Sequence, residues 1–135
     1  MQRALKCAKA PCKSCPYRRD VPSGVWQARE YDKLPAYDGT KEQQLLSGGR
    51  SLFDCHQQDG NLCAGWVGTH GAHNLIAFRL TDCEVDPSIW RYESPVPLFK
   101  SGAEACAHGK RHIRHPRADA TRMVIQLLRK RERRK

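Results

Sequence analysis

The sequence predicts a small, irregular α+β or mainly helical domain, stabilised by a metal site and extended by a basic C-terminal helix. Three observations predict it. A C-x2-C pair, Cys12 and Cys15, stands near the start, and two more cysteines with apolar neighbours, Cys55 and Cys63, follow downstream. The chain closes on Arg129-Lys130-Arg131-Glu132-Arg133-Arg134-Lys135, in which six of seven residues are basic. Between these ends, apolar residues make up only 39% of the chain, a thin core that a metal clip would relieve. At 135 residues the expected organisation is a four-cysteine domain over residues 1–110 followed by a basic helix or tail over 111–135.

Taken in order, residues 1–11 form a mixed basic lead-in, and Cys7 reads as a free thiol, since one site needs four donors. Pro11-Cys12-Lys13-Ser14-Cys15-Pro16 is a tight turn that can present two thiols to one ion, and Pro16 directs the chain away from it. Asp20 to Trp26 is rich in turn formers. Ser23 is placed to cap a short helix carrying Trp26, Glu30 and Leu34. The polar, glycine-containing stretch 35–50 reads mainly as loop, with one helical turn around Glu42–Leu46. Ser51 to Cys55 reads as a short strand and Gln57 to Asn61 as a turn. A helix is expected from Cys63 to about Phe78, weakened at Gly65, Gly68 and Gly71 by about 1 kcal/mol each relative to alanine, unless two of these glycines allow close packing on the metal loop. Prolines 87, 95 and 97 keep residues 80–97 extended or turned. Ala103 to His108 is a short helix ended by Gly109. Arg117 to Lys130 is the last helix, with Met123, Val124, Leu127 and Leu128 forming one narrow apolar stripe.

Cys12, Cys15, Cys55 and Cys63 are the candidate metal ligands, because soft thiolates suit thiophilic ions. Their spacing is C-x2-C, thirty-nine residues, then C-x7-C. This matches only the first half of a paired C-x2-C signature, and the plainer alternative is that Cys55 and Cys63 are small buried hydrophobes. Zinc is the expected ion, with a [4Fe-4S] cluster as the alternative, since proline after a ligand cysteine and irregular spacing also occur around clusters. His56 is a hydrogen-bonding neighbour or an alternative ligand. Arg18 is placed to offset the negative charge of thiolates, and Arg18 or Arg19 to hold phosphate. Tyr17, Trp26 and Trp66 can stack on bases or simply pack. Cys83 and Cys106 read as free thiols, and His108, His112 and His115 as solvated surface. His70 and His73 can share one helix face, but no carboxylate accompanies them, and no H-E-x-x-H, Walker or G-x-S-x-G motif is present. An enzyme is not the expectation.

The net charge is +10, which favours polyanionic partners: DNA, RNA or a nucleoprotein complex. The expected phosphate contacts are Arg129, Lys130, Arg131, Arg133, Arg134 and Lys135. Two other readings stay open, an iron–sulfur redox sensor or electron carrier, and a factor that docks a bacterial host protein through the stripe of the last helix. No apolar run approaches membrane-spanning length and the N-terminus lacks a signal-peptide core. The expected address is cytoplasmic, with reduced cysteines and no membrane partner.

Cys12-x2-Cys15-Pro16-Tyr17-Arg18, Phe53-x-Cys55-His56 and Cys63-Ala64-Gly65 resemble the motif set of an uncharacterised family of small proteins from actinobacteria, other bacteria and their phages. Asp20 to Trp26 and Val96 to Ala105 resemble its actinobacterial and actinophage branch. The resemblance spans about residues 11–110. It implies that the four cysteines, His56 and Arg18 act as a unit, and it implies no activity.

Overall fold

The computed structural model describes residues 4–55 and 60–134, the side chain of Arg134 excepted. Expectations for His56, Gln57 to Asp59, Lys135 and the Arg134 side chain therefore lie outside the described residues. Short helices dominate: α1 (Ala28–Asp32), α2 (Lys41–Ser47), α3 (Ala64–His70), α4 (Ala77–Leu80), α5 (Gly102–Lys110) and α6 (Ala118–Arg134), with 3-10 turns at Leu34–Tyr37, Ala72–Asn74 and Pro87–Arg91. Among the described residues, β structure is confined to four isolated bridges. Of the two expected classes, α+β and mainly helical, the described residues favour the second. Gly60, Pro87 and Pro97 each stand beside a bridge, where they work against a longer ladder.

The expected strand at Ser51–Cys55 shrinks to one bridge, Asp54 to Leu62, yet that bridge positions the site. Cys63 N–H donates to the Phe53 carbonyl at 2.8 Å and Cys55 N–H to the Asn61 carbonyl at 2.9 Å, so the two cysteines leave the same tight pairing. Leu62 also bridges Cys7 on its other side, with its N–H bonded to the Lys6 carbonyl at 2.8 Å. The lead-in is thereby tied down beside the cysteines.

Ser23 does not cap α1. Gln27 occupies that position without a side-chain bond, while Ser23 Oγ donates to the Gly109 carbonyl at 2.9 Å and accepts from His112 N–H at 2.8 Å. The stretch read as loop holds a complete helix, α2, opened by a capping box in which Thr40 and Gln43 satisfy one another's backbone N–H. The long helix expected from Cys63 breaks at Gly71, whose φ of 78° is left-handed, into α3, a 3-10 turn and α4. Gly109 lies inside α5 instead of ending it, because a Cβ there would sit 2.1 Å from the Tyr31 ring. That close approach packs α5 against α1.

The main core surrounds Trp66, with Tyr17, Tyr31, Leu34, Leu75 and Ile89 all fully buried. Gln44 is buried too. Its amide donates to the Gly39 and Asn74 carbonyls at 3.2 and 2.7 Å and accepts from Ile76 N–H at 3.0 Å, stapling α2 to the chain between α3 and α4. A second, smaller cluster seats α6: Val21, Val25 and Ala120 pack with Trp26, Met123, Val124 and Leu127. No helix among the described residues is long and apolar enough to cross a membrane.

Candidate metal centre

The C-x2-C loop closes through Cys15 N–H bonded to the Cys12 carbonyl at 2.9 Å. The loop turns Cys15 inward, fully buried, and leaves Cys12 half-buried. Facing it, Cys63 stands at the N-terminus of α3, and its Sγ lies 3.7 Å from Cys15 Sγ. Gly65 makes this approach possible, since a Cβ there would lie 2.4 Å from Cys15 Sγ and 2.9 Å from Tyr17 Cβ. The expectation that α3 glycines allow close packing on the cysteine loop holds at Gly65.

The four cysteines form two thiol pairs. The hydrogen bond shared with Cys63 holds the Cys15 thiol below its usual range against the effect of burial, and the N–H groups of Tyr17 and Arg18 add to the lowering. The same bond, with burial, pushes Cys63 well up. Cys12 shares a hydrogen bond with Cys55, and that bond and burial push its thiol up. The pairs also feel one another: Cys15 and Cys55 raise Cys12, and Cys12 and Cys15 raise Cys63. The sequence-predicted ligands are thus neighbours. Among the described residues, however, no group of three or more His, Cys, Asp or Glu side chains stands arranged to hold a metal ion.

The donor chemistry fits a thiophilic ion. Backbone N–H groups aimed at Cys15 favour its thiolate form, as hydrogen bonds to a charged group do. The 3.7 Å between Cys15 and Cys63 is close to the roughly 3.8 Å separating two corners of a zinc–thiolate tetrahedron with about 2.3 Å bonds. Arg18 lies beside the loop: it donates to the Pro11 carbonyl at 3.1 Å and pairs with Asp20 at 2.6 Å. That pairing leads in raising its pKa, and Cys15 and Cys12 contribute. Arg19 instead crosses to the segment before α5, donating to the Leu98 carbonyl at 3.0 Å and lying 5.3 Å from the Phe99 ring centroid.

Sequence reasoning missed the polar chain behind the cysteines. Tyr17 Oη lies 3.2 Å from His70 Nε2, and His70 Nδ1 lies 3.7 Å from Asp38 Oδ1. The Asp38 carboxylate accepts from Gly102 and Ala103 N–H at 2.7 and 2.8 Å, so it caps α5. Burial pushes His70 down to about 4, with Asp38 opposing. His73 faces away and lies 4.9 Å from the Trp90 ring, because the break at Gly71 parts the two histidines. His108 is not simple solvated surface: its Nε2 lies 2.7 Å from the Val21 carbonyl. The readable signal in this region was Thr40-x-x-Gln43, a capping-box pattern that places a helix directly after Asp38.

Of the expected phosphate contacts, Arg129, Lys130, Arg131 and Arg133 lie exposed on α6. Among the described residues, no ion pair holds Arg122, Arg129, Arg131 or Arg133.

Fold and site together define a small, mostly helical domain built around clustered cysteines, with a basic helix seated on it. Residues 7–131 match the model of a family described as "Family of unknown function (DUF6283)", and the chain belongs to that family. The match reaches beyond the expected 11–110 and takes in both the Cys7 bridge and most of α6. Comparison with curated proteins and with solved structures gives no match.

Proposed function

We propose that this chain is a metal-centred nucleic-acid-binding protein. Cys12, Cys15, Cys55 and Cys63 hold one zinc ion that shapes the domain, and α6 supplies phosphate contacts through Arg129, Lys130, Arg131 and Arg133, continued by Arg134 and Lys135. The observation that carries the reading is the seating of α6. Its apolar stripe packs on Val21 and Val25, a few residues past the cysteine loop, and its arginines face solvent. A docking role for that stripe toward a host protein is less supported, because Met123, Val124 and Leu127 are engaged within the chain. In this reading the cysteine motifs are the family's signature, and an actinobacterial or phage cytoplasm is its setting.

The test is affinity for DNA and RNA across a salt series, alongside elemental analysis. The six contacts predict a log–log slope of about −5 on duplex DNA and about −4 on single strands, and Arg129→Ala or Arg133→Ala should each flatten it by about 1. Binding that ignores salt, or no binding, overturns the reading. One observation favours an iron–sulfur redox protein as the second reading: Cys55 lines a cavity of about 570 Å³ with Tyr37, Phe53 and Asp54, an approach that an electron-transfer partner would need. Iron with inorganic sulfide in anaerobically purified protein would favour it, and one zinc per chain would exclude it.

A further inference from the structure

We infer that the groove between Trp26 and α6 is a base-stacking site, and that the polyanion this protein takes is single-stranded nucleic acid. The inference rests on the nucleic-acid reading above and names its substrate class. The groove has a volume of about 360 Å³ and is lined by Trp26, Arg29, Val124, Leu127, Leu128 and Arg131, among others. Trp26 is half-buried and packs against both hydrophobic clusters, so one wall is a rigid aromatic. Its indole N–H donates to the Ser14 carbonyl at 2.7 Å, inside the cysteine loop, which fixes the ring relative to the proposed metal site. The floor is apolar. Leu128 is 53% exposed and lines the same groove as Trp26.

Charge complementarity selects the occupant. Arg29 of α1 and Arg131 of α6 are both exposed and both line the groove, and Arg129 and Lys130 follow along α6. The carboxylate in the groove, Glu30, is engaged by Lys33 at 3.3 Å. An aromatic wall between cations that track a phosphate backbone is the recurring solution for single strands, because every base has a face to stack whereas a duplex hides its faces. A base seated here would have both arginines within the same groove to meet its flanking phosphates.

The experiment uses the full chain with labelled oligo(dT), oligo(rU) and a duplex of equal length. It compares Trp26→Ala and Leu128→Asp with Arg133→Ala, and it maps photocross-links to a 5-bromouracil-substituted strand. Leu128→Asp stands at an exposed position, so it reports even where Trp26→Ala impairs folding. The expected result is single-strand affinity above duplex affinity, a tenfold to hundredfold loss of it in Trp26→Ala and Leu128→Asp, and cross-links at Trp26. Arg133→Ala should weaken single strand and duplex alike. Equal binding of duplex, or wild-type single-strand affinity in Leu128→Asp with cross-links only on the outer face of α6, overturns the groove and leaves the nucleic-acid reading standing. Failure to bind any of the three probes overturns both. The oligo(dT) and oligo(rU) arms assign DNA or RNA.

Discussion

At the scale of single residues, the described part of the molecule depends on a few polar side chains placed where the backbone cannot satisfy itself. Gln44 is the clearest. It is buried and meets two carbonyls and one N–H between Gly39 and Ile76, so its loss leaves several groups dry at once. Replacing it with leucine should cost about 2–3 kcal/mol, read as a lower urea midpoint at unchanged slope. An unaltered midpoint would show that water replaces the amide. His70 gives a pH signature. Burial pushes it down to about 4, whereas an unfolded histidine titrates near about 6.5. Its stabilising contribution is therefore complete above about pH 6.5 and is lost as pH falls toward about 4, because in that window the unfolded chain takes up a proton that the folded chain refuses. The loss should reach roughly 3 kcal/mol. His70→Gln should flatten the difference between urea midpoints at pH 7.5 and pH 4.5, and a wild-type slope in that variant would refute the assignment. None of this was legible in the sequence. A glutamine or histidine inside a polar stretch has no periodic signature, and apart from the Gly39 carbonyl the partners of Gln44 and His70 lie about thirty residues away or more.

At the scale of elements, what the sequence showed and what it hid divide by the kind of signal. The C-x2-C turn, the basic last helix and its stripe depend on local spacing; the turn and the helix appear in the structure, and of the stripe Met123, Val124 and Leu127 pack inward while Leu128 stays exposed. Helix ends were misread where a glycine serves packing instead of termination: Gly109 continues α5 because Tyr31 fills the place of its side chain, while Gly71 breaks the expected long helix through its positive φ. The expected strand at Ser51–Cys55 failed because its pairing ends after one bridge. That Cys55 and Cys63 meet the first pair was expected from residue chemistry alone; the distance of 3.7 Å and the alternation of thiol pairs come only from tertiary placement. Gly65 ties this level to the site. Gly65→Ala improves helix propensity by about 1 kcal/mol, yet its Cβ would intrude on Cys15 Sγ and on Tyr17. Overpacking of this kind costs about 1–3 kcal/mol, so the variant should be less stable than wild type and, with the cysteines holding zinc as proposed, should take it up more weakly in a chromophoric-chelator competition. A more stable protein with unchanged zinc affinity would mean that α3 can shift away from the loop freely.

At the scale of the whole molecule, the question is what holds so many short elements together. Five of the six α-helices among the described residues run to nine residues or fewer, below the length at which helices persist alone, and no sheet links them. Ordering therefore depends on long-range contacts converging on Trp66 and on the cysteines. Domains of this size are stable by only about 5–15 kcal/mol, and structural zinc sites bind with apparent free energies of about 10–16 kcal/mol at neutral pH. If the four cysteines hold zinc as proposed, removing it takes away an amount comparable to the entire stability. Stripping the metal with a strong chelator under reducing conditions should abolish the cooperative thermal transition and collapse near-ultraviolet dichroism from the buried aromatics, and both should return on adding one equivalent of zinc. Substituting Cys15 should have the same effect without a chelator. A chelated protein that melts as before would instead assign the cysteines to packing, as buried thiols of the apolar core, and the basic helix would then owe its placement to its packing on Val21, Val25 and Trp26.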